Sequence, residues 1–351
     1  MTRSLTRSRV ALHAVLLLGG IGTVLPFLWM ISTSLKAPQE VIQFPPTWVP
    51  RGLYAQIEGQ EVEVEVTSNR GEGRVVVRPY LPPANISPDA FEVASADLEQ
   101  HIRFRWENYK EAFVGARVLR QAEREGWEGW RTWLRELYER PTFLRYFLNT
   151  VFISGTVLAG VLFTTCLAAF AFGRLEFRGR EILFLLFLSM MMIPEPVYLV
   201  PSFLILAKIG WIDTYEALIV PWTVNVFSIF LLRQHFKTIP KDLEDAATID
   251  GCSRWRFLWQ ILVPISKAPL VTVSLFSVIG SWNSFMWPLV MINSEELRPL
   301  QVGLANFAAG EGADHHLMMA AATFCILPLL VVYFFAQKHI MSSHAESGIK
   351  G

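Results

Sequence analysis

Few residues in this chain are placed to do chemistry, because long stretches hold none that ionise. Glu195 is the single acid in an otherwise uncharged apolar run and sits between Pro194 and Pro196. A charge in hydrocarbon is costly, so such a carboxylate must face a cavity, a partner or interfacial water. Its flanking prolines free backbone carbonyls that also need protein or water nearby. Trp282 and Asn283 are adjacent in another apolar run. An indole can stack on the C–H face of a sugar and an amide can pair with hydroxyls, although both residue types also pack helix against helix. With Asn225, these residues are the candidates for a polar path through an apolar body.

A second constellation is K-D-L-E-D-A-A-T-I-D-G-C-S-R-W-R-F-L-W-Q-I-L-V-P, residues 241–264. It reads as a short helix, a glycine break and a second helix. Pro240 precedes it, and Asp242, Glu244 and Asp245 lie where acids favour a helix N-terminus. Ala246 and Ala247 offer a small surface that another protein's backbone can approach closely. Asp250-Gly251 is a turn dipeptide. Phe257, Leu258, Ile261 and Leu262 form an apolar face expected to point toward the membrane, and Pro264 marks the start of the next span.

Other chemistries lack their signatures. No Gly-Lys dipeptide occurs, so the phosphate-cradling G-x-x-x-x-G-K-[ST] loop is absent. If the chain takes part in ATP-driven work, another chain must bind the nucleotide. H-E-x-x-H and G-x-S-x-G are also missing. His315 and His316 are adjacent, a poor spacing for two metal ligands on one helix face. Cys166, Cys252 and Cys325 are far apart with no C-x-x-C, which fits reduced packing thiols.

The elements that must carry these residues follow from composition. The chain has 351 residues, 52% hydrophobic and 18% charged, with zero net charge and mean hydropathy +0.35. A crossing helix needs about 20 mostly apolar residues. Six runs are candidates: 10–35, 146–173, 182–207, 217–232, 268–294 and 317–337. In a single span over 182–207, Glu195 would sit about 20 Å along the helix. Arg and Lys cluster at 3–9, 174–180, 233–267 and 338–350, which six spans place on one side. The positive-inside rule makes that side, with both termini, cytoplasmic. The first run is longer than a signal-peptide core and no A-x-A site follows, so it is expected to be retained.

Between the first two runs lies a polar segment too long for a plain loop. Q-E-V-E-V-E-V-T at 60–67 and R-V-V-V-R-P-Y at 74–80, joined by a glycine-bearing turn, predict a β-hairpin. Trp127, Trp130, Leu134 and Leu137 recur at helix spacing within 118–140 and predict an amphipathic helix. The insert is either a cap on the outer membrane face or a docking surface for a soluble partner. The loop 293–316, acidic and glycine-bearing, is either a flexible connector or a reach toward such a partner.

The 241–264 segment resembles the EAA loop of binding-protein-dependent ABC importer permeases, E-A-A-x3-G-x9-I-x-L-P. Asp245, Ala246, Ala247, Gly251, Ile261 and Pro264 match at the right spacings, with Asp for Glu at 245 and Val for Leu at 263. Y-F-L-N-T (146–150), G-R-L-E-F-R-G-R (173–180), M-M-I-P (191–194) and W-N-S-F (282–285) are similar to the carbohydrate branch, in particular the maltose-type second permease subunit. Residues 10–45 and 105–351 carry the resemblance, apart from about 115–140; most of the insert does not.

The resemblance implies an all-α membrane protein: a six-helix type I importer transmembrane domain with a small extracytoplasmic α+β insert between spans 1 and 2. Residues 1–35 would form the N-terminus and first span, 36–145 the insert, 146–340 the permease core and 341–351 a cytoplasmic tail. Glu244, Asp245, Ala246, Ala247, Asp250, Gly251 and Pro264 would couple the chain to an ATPase. Glu195, Asn225, Trp282 and Asn283 would border the translocation path.

The implied partners are a second homologous permease, two ATPase subunits, an extracytoplasmic sugar-binding protein and the lipid of a bacterial or archaeal inner membrane, with no nucleic acid. The chain would bind no cofactor and catalyse nothing itself, with ATP and Mg on the ATPase. Rival readings are a permease for a non-sugar solute, an ion-coupled secondary transporter, and a receptor or scaffold. No convincing internal repeat supports the secondary transporter.

Overall fold

The computed structural model describes residues 2–57, 59–71, 73–80, 89–114, 143–309 and 315–347. Contacts divide the chain into two compact units, Met1–Glu136 with Leu304–Phe324, and Leu137–Gly303 with Cys325–Gly351.

The first unit begins with α1 (Thr2–Ser34), apolar over Arg9–Ser34 and exposed through residues 9–28, with Thr33 and Ser34 buried at its end. A helix that is hydrophobic on every side suits a membrane span. After the short α2 (Pro38–Ile42) come β1 (Arg51–Ile57), β2 (Gln60–Gly71), β3 (Arg74–Pro79), β4 (Phe91–Ala94) and β5 (Glu99–Ile102). They form an antiparallel sheet ordered β4-β3-β2-β1-β5. The alternation in β2 sorts its faces: Val62 and Val64 are buried, and Val64 packs with Ala55, Val75 and Val77. The expected hairpin is β2–β3, with register shifts at Val66/Ser68 and Asn69/Gly71. β1, β4 and β5 were not expected. The helix expected over 118–140 lies outside the described residues.

The junction between α1 and the sheet is closely tied. Asn108, in α3 (Glu107–Val114), is buried and donates from Nδ2 to the carbonyls of Ser34 (2.8 Å) and Lys36 (2.9 Å). The Lys36 side chain is 1% exposed, lies over the Trp29 ring at 4.2 Å and donates to the Thr47 carbonyl. Burial holds its ammonium below the ordinary lysine range, against an opposing pull from Glu40. Glu40 accepts from the Arg51 amide and the Thr47 hydroxyl.

The second unit is built on α4 (Phe143–Arg174). Ile153, Val157, Val161, Thr165 and Ala169 recur at helix spacing and bury one face. That face meets α7 (Tyr215–Ile219), α8 (Val226–Thr238) and α11 (Lys267–Trp282). Gly160 permits the close approach, since a Cβ there would lie 2.6 Å from Thr223 Cγ2.

Two of the expected single spans are broken. The run 182–207 divides into α5 (Arg180–Met192) and α6 (Glu195–Lys208), bent by 102°. Pro194 has no amide for the helical ladder, and it and the residue before it, Ile193, are extended. Glu195 therefore starts a new helix instead of lying midway along one. The run 268–294 ends its helix at Trp282 and resumes as α12 (Met286–Met291). Upstream, α10 (Arg254–Ile265) meets α11 at 83°. α9 (Lys241–Ile249), α13 (Leu300–Ala309) and α14 (His315–Ser347) complete the elements. Among the described residues, four helical stretches are long and apolar enough to cross a membrane, with α7 and α8 taken together as Tyr215–Thr238, or up to six if each bent pair counts as one crossing.

Candidate functional site

The 241–264 segment is the expected pair of helices, closed by a Schellman turn. Gly251 adopts φ +76°, which only glycine takes without strain. Its amide donates to the Thr248 carbonyl (3.0 Å), and the Cys252 amide to the Ala247 carbonyl (2.9 Å). Ser253 then caps α10, its Oγ accepting from the Arg256 amide at 3.3 Å. In α10 the turn Leu258–Leu262 is π-helical. Pro264 has no amide to return to the Gln260 carbonyl, which accounts for the widened turn.

Two expectations about orientation change. Ala247 is buried and packs with Cys166, Ala169, Phe170, Leu232 and Phe236, so only Ala246 of the pair is exposed. Phe257, Leu258 and Leu262 join the same cluster, so their face meets the chain's own helices, not lipid. Outward stand Asp245, Ala246, Asp250 and Gly251, with Ile249 at 86% exposure; Glu244 is half-buried and Pro264 exposed.

Glu244 is held by a residue the sequence offered only as a topology marker. Arg174, at the end of α4, has a side chain 4% exposed. Its Nη2 donates to the Ile239 carbonyl at 2.7 Å, and Nη1 lies 3.6 Å from Glu244 Oε2. Arg233 is equally enclosed: Nε donates to the Phe172 carbonyl (3.0 Å), Nη2 to both oxygens of Glu181 (2.9 and 2.7 Å), and the guanidinium lies over Phe184. Arginines next to long apolar runs were the available signal for these anchors.

Within the same unit, α4, α11 and the segments around 195, 222 and 285 enclose a cavity of about 490 Å³. Glu195, Asn225 and Asn283 line it together, although they are far apart in sequence. Trp282 does not. It is buried, donates from Nε1 to the Cys325 carbonyl (3.1 Å) and meets Phe147 edge-on, so it is a packing residue. Asn225 Oδ1 accepts from the Ser228 amide (2.8 Å), capping α8. Asn283 Nδ2 donates to the Ile279 carbonyl (3.0 Å). Trp222 and Ser277, also in the lining, were not singled out by sequence.

The first part of the 293–316 loop is pinned. Asp213 Oδ1 accepts from the amides of Asn293 (3.0 Å) and Ser294 (2.9 Å) and from the Ser294 hydroxyl (2.9 Å). Burial alone would raise this carboxyl, but those donors and Arg298 prevail and hold it below the usual range. Asn149 Nδ2 donates to the carbonyls of Glu296 (2.8 Å) and Arg298 (3.0 Å), and its Oδ1 accepts from the Tyr215 hydroxyl. Residues 310–314 lie outside the described residues.

Comparison with known proteins gives these features a context. Residues 147–343, which include both the cavity and the helix pair, match the family described as binding-protein-dependent transport system inner membrane component. The chain is 30% identical over 213 residues to the arabinooligosaccharides transport system permease protein AraQ of Halalkalibacterium halodurans, covering 61% of this chain and 76% of that one. It is 33% identical over 213 residues to the trehalose/maltose transport system permease protein MalG of Thermococcus litoralis, covering 60% and 76%. Among solved structures, a bacterial ABC transporter involved in the import of the acidic polysaccharide alginate has a chain of similar fold. Its TM-score is 0.66 at 20% identity, covering 95% of this chain and 96% of that one.

Proposed function

The chain belongs to the binding-protein-dependent transport system inner membrane component family, and on that premise we propose that it is the membrane-spanning subunit of an ATP-driven carbohydrate importer. The observation that carries this reading is the Schellman-turned helix pair at 241–265. Its outer face is exposed and its inner face is fixed to the bundle. The oligosaccharide cargo in the names of the two relatives supports carbohydrate as the substrate class.

In this reading each bent pair counts as one of six crossings, both termini are cytoplasmic and the sheet of residues 51–102 lies outside. α9 and the start of α10 seat in a cytoplasmic ATPase. Two ATPase subunits, a second homologous permease and an extracytoplasmic binding protein complete the importer. ATP and Mg are bound by the ATPase alone. When the ATPases close, Asp245, Ala246, Asp250 and Gly251 move with them. The stiff turn passes that displacement through Arg174 to α4, one face of which borders the cavity.

Two measurements test it. Purification of the detergent-solubilised complex followed by mass spectrometry is expected to recover an ATPase and a second permease. Thiol labelling of Ile249→Cys is expected only from the cytoplasmic side. Labelling from outside intact cells would sink the scheme.

A further inference from the structure

Buried polar atoms without a hydrogen-bond partner occur at several places in the second unit, among them Thr165, Arg174 Nε, His235, Trp259 and Ser266, and two of them lie in the cavity. Trp222 Nε1 and Ser277 Oγ belong to its lining, and both are buried without a hydrogen-bond partner. Glu195 lines it with no ion-pair partner among the described residues, and no Lys, Arg or His shares the lining. Unpartnered buried donors are rare in folded chains, and each calls for a reason. Here both belong to one cavity, beside the aromatic faces of Trp222, Phe276 and Phe285. At about 490 Å³ it falls within the range of about 300–1,000 Å³ usual for small-molecule sites.

We infer that this chain itself contacts the cargo, through Trp222, Ser277 and Glu195, and that the cargo is a hydroxyl-rich carbohydrate without anionic groups. The inference rests on the importer reading and adds the contact and the charge class to it. A sugar hydroxyl both donates and accepts, so one molecule can satisfy the indole N–H, the serine hydroxyl and the carboxylate together. C–H faces of the ring suit the aromatic walls. A uronate or sulfated sugar brings a negative charge into a space whose one fixed charge is also negative, with no cation in the lining to offset it.

The test uses the complete importer in proteoliposomes, with maltotriose and arabinotriose as neutral probes and trigalacturonate as the anionic one. Uptake of a neutral probe and rejection of trigalacturonate are expected. Trp222→Phe keeps the ring and removes the orphan donor, and Ser277→Ala removes the other. Each is expected to leave the unfolding temperature of the complex unchanged or raised, while KM for the neutral probe rises about three- to tenfold. Glu195→Lys is expected to cut neutral uptake more than Glu195→Gln.

Wild-type uptake by both donor variants, or trigalacturonate carried as well as the neutral probes, would overturn the inference and leave the importer reading standing. A fall in unfolding temperature with Trp222→Phe would assign the indole to packing and count against it. If no probe supports ATP-dependent uptake, the importer reading falls and the inference with it.

Discussion

The helix pair at 241–265 and the cavity belong to the same compact unit, yet they differ in how far their polar groups are matched. At the helix pair the turn amides and caps are matched and two buried arginines reach carbonyls and carboxylates, while Arg174 Nε and Trp259 Nε1 stay unpaired. In the cavity an indole N–H and a hydroxyl are left without partners, and Glu195 has no ion-pair partner among the described residues. Matched polar networks fix one geometry; unmatched ones cost stability and leave capacity for a visitor. A subunit that transmits force at one place and admits cargo at another needs both arrangements, and the sequence keeps them on different segments.

Substitutions at the helix pair should break this contrast most severely. Gly251→Pro forces φ from +76° to about −65° and removes the amide bonded to Thr248. We expect the complex to insert and hydrolyse ATP while uptake per ATP falls by at least about tenfold, a local cost of about 3 kcal/mol. The ratio of transport to hydrolysis in proteoliposomes measures this. Arg174→Ala leaves the Ile239 carbonyl and Glu244 without their partner, at about 2 kcal/mol. It should lower both the unfolding temperature and the coupling ratio, and Glu244→Gln should do so less. Coupling unchanged in Arg174→Ala would remove α4 from the transmission route.

Gly160→Val probes the wall between the two regions. Its Cβ would meet Thr223, which is itself held by Thr164 Oγ1 at 2.6 Å, so the wall cannot yield freely. A loss of about 1–3 kcal/mol is expected in thermal unfolding. The smallest effect concerns Asp213. Its carboxyl is held below the ordinary value of about 3.9. The stabilisation is therefore full at neutral pH and is lost as pH falls through the lower folded value. Asp213→Asn should narrow the gap in unfolding temperature between about pH 7 and about pH 3. An identical pH profile in the variant would exclude Asp213 as the group responsible.

Composition made the apolar runs legible, and the turn chemistry of Asp250-Gly251 made the helix pair legible. The break at Pro194 was visible as a proline, yet the run continues apolar on both sides, and apolarity alone does not report backbone direction. Alternation disclosed β2 and β3. β5, E-Q-H-I, has no buried residue and exists because β1 offers it a free edge. Charge counts grouped Arg174 and Arg233 with the other basic residues, but could not say that each guanidinium turns back into the protein. Ala246 and Ala247 are identical as letters; a nine-residue helix needs a neighbour before its inner side is defined.

The lysine enclosed beneath Thr47 bears on how the sheet can be engineered. Its ammonium is covered by the strap leading to β1, and Asn108, beyond the last strand, grips the carbonyls of Ser34 and of Lys36 itself. Excising residues 51–102 as a cassette would leave Thr47 and Asn108 in the chain but remove Arg51, whose amide holds Glu40 beside Thr47. Grafting the sheet onto another span therefore means carrying residues 34–51 and Asn108 with it as one piece.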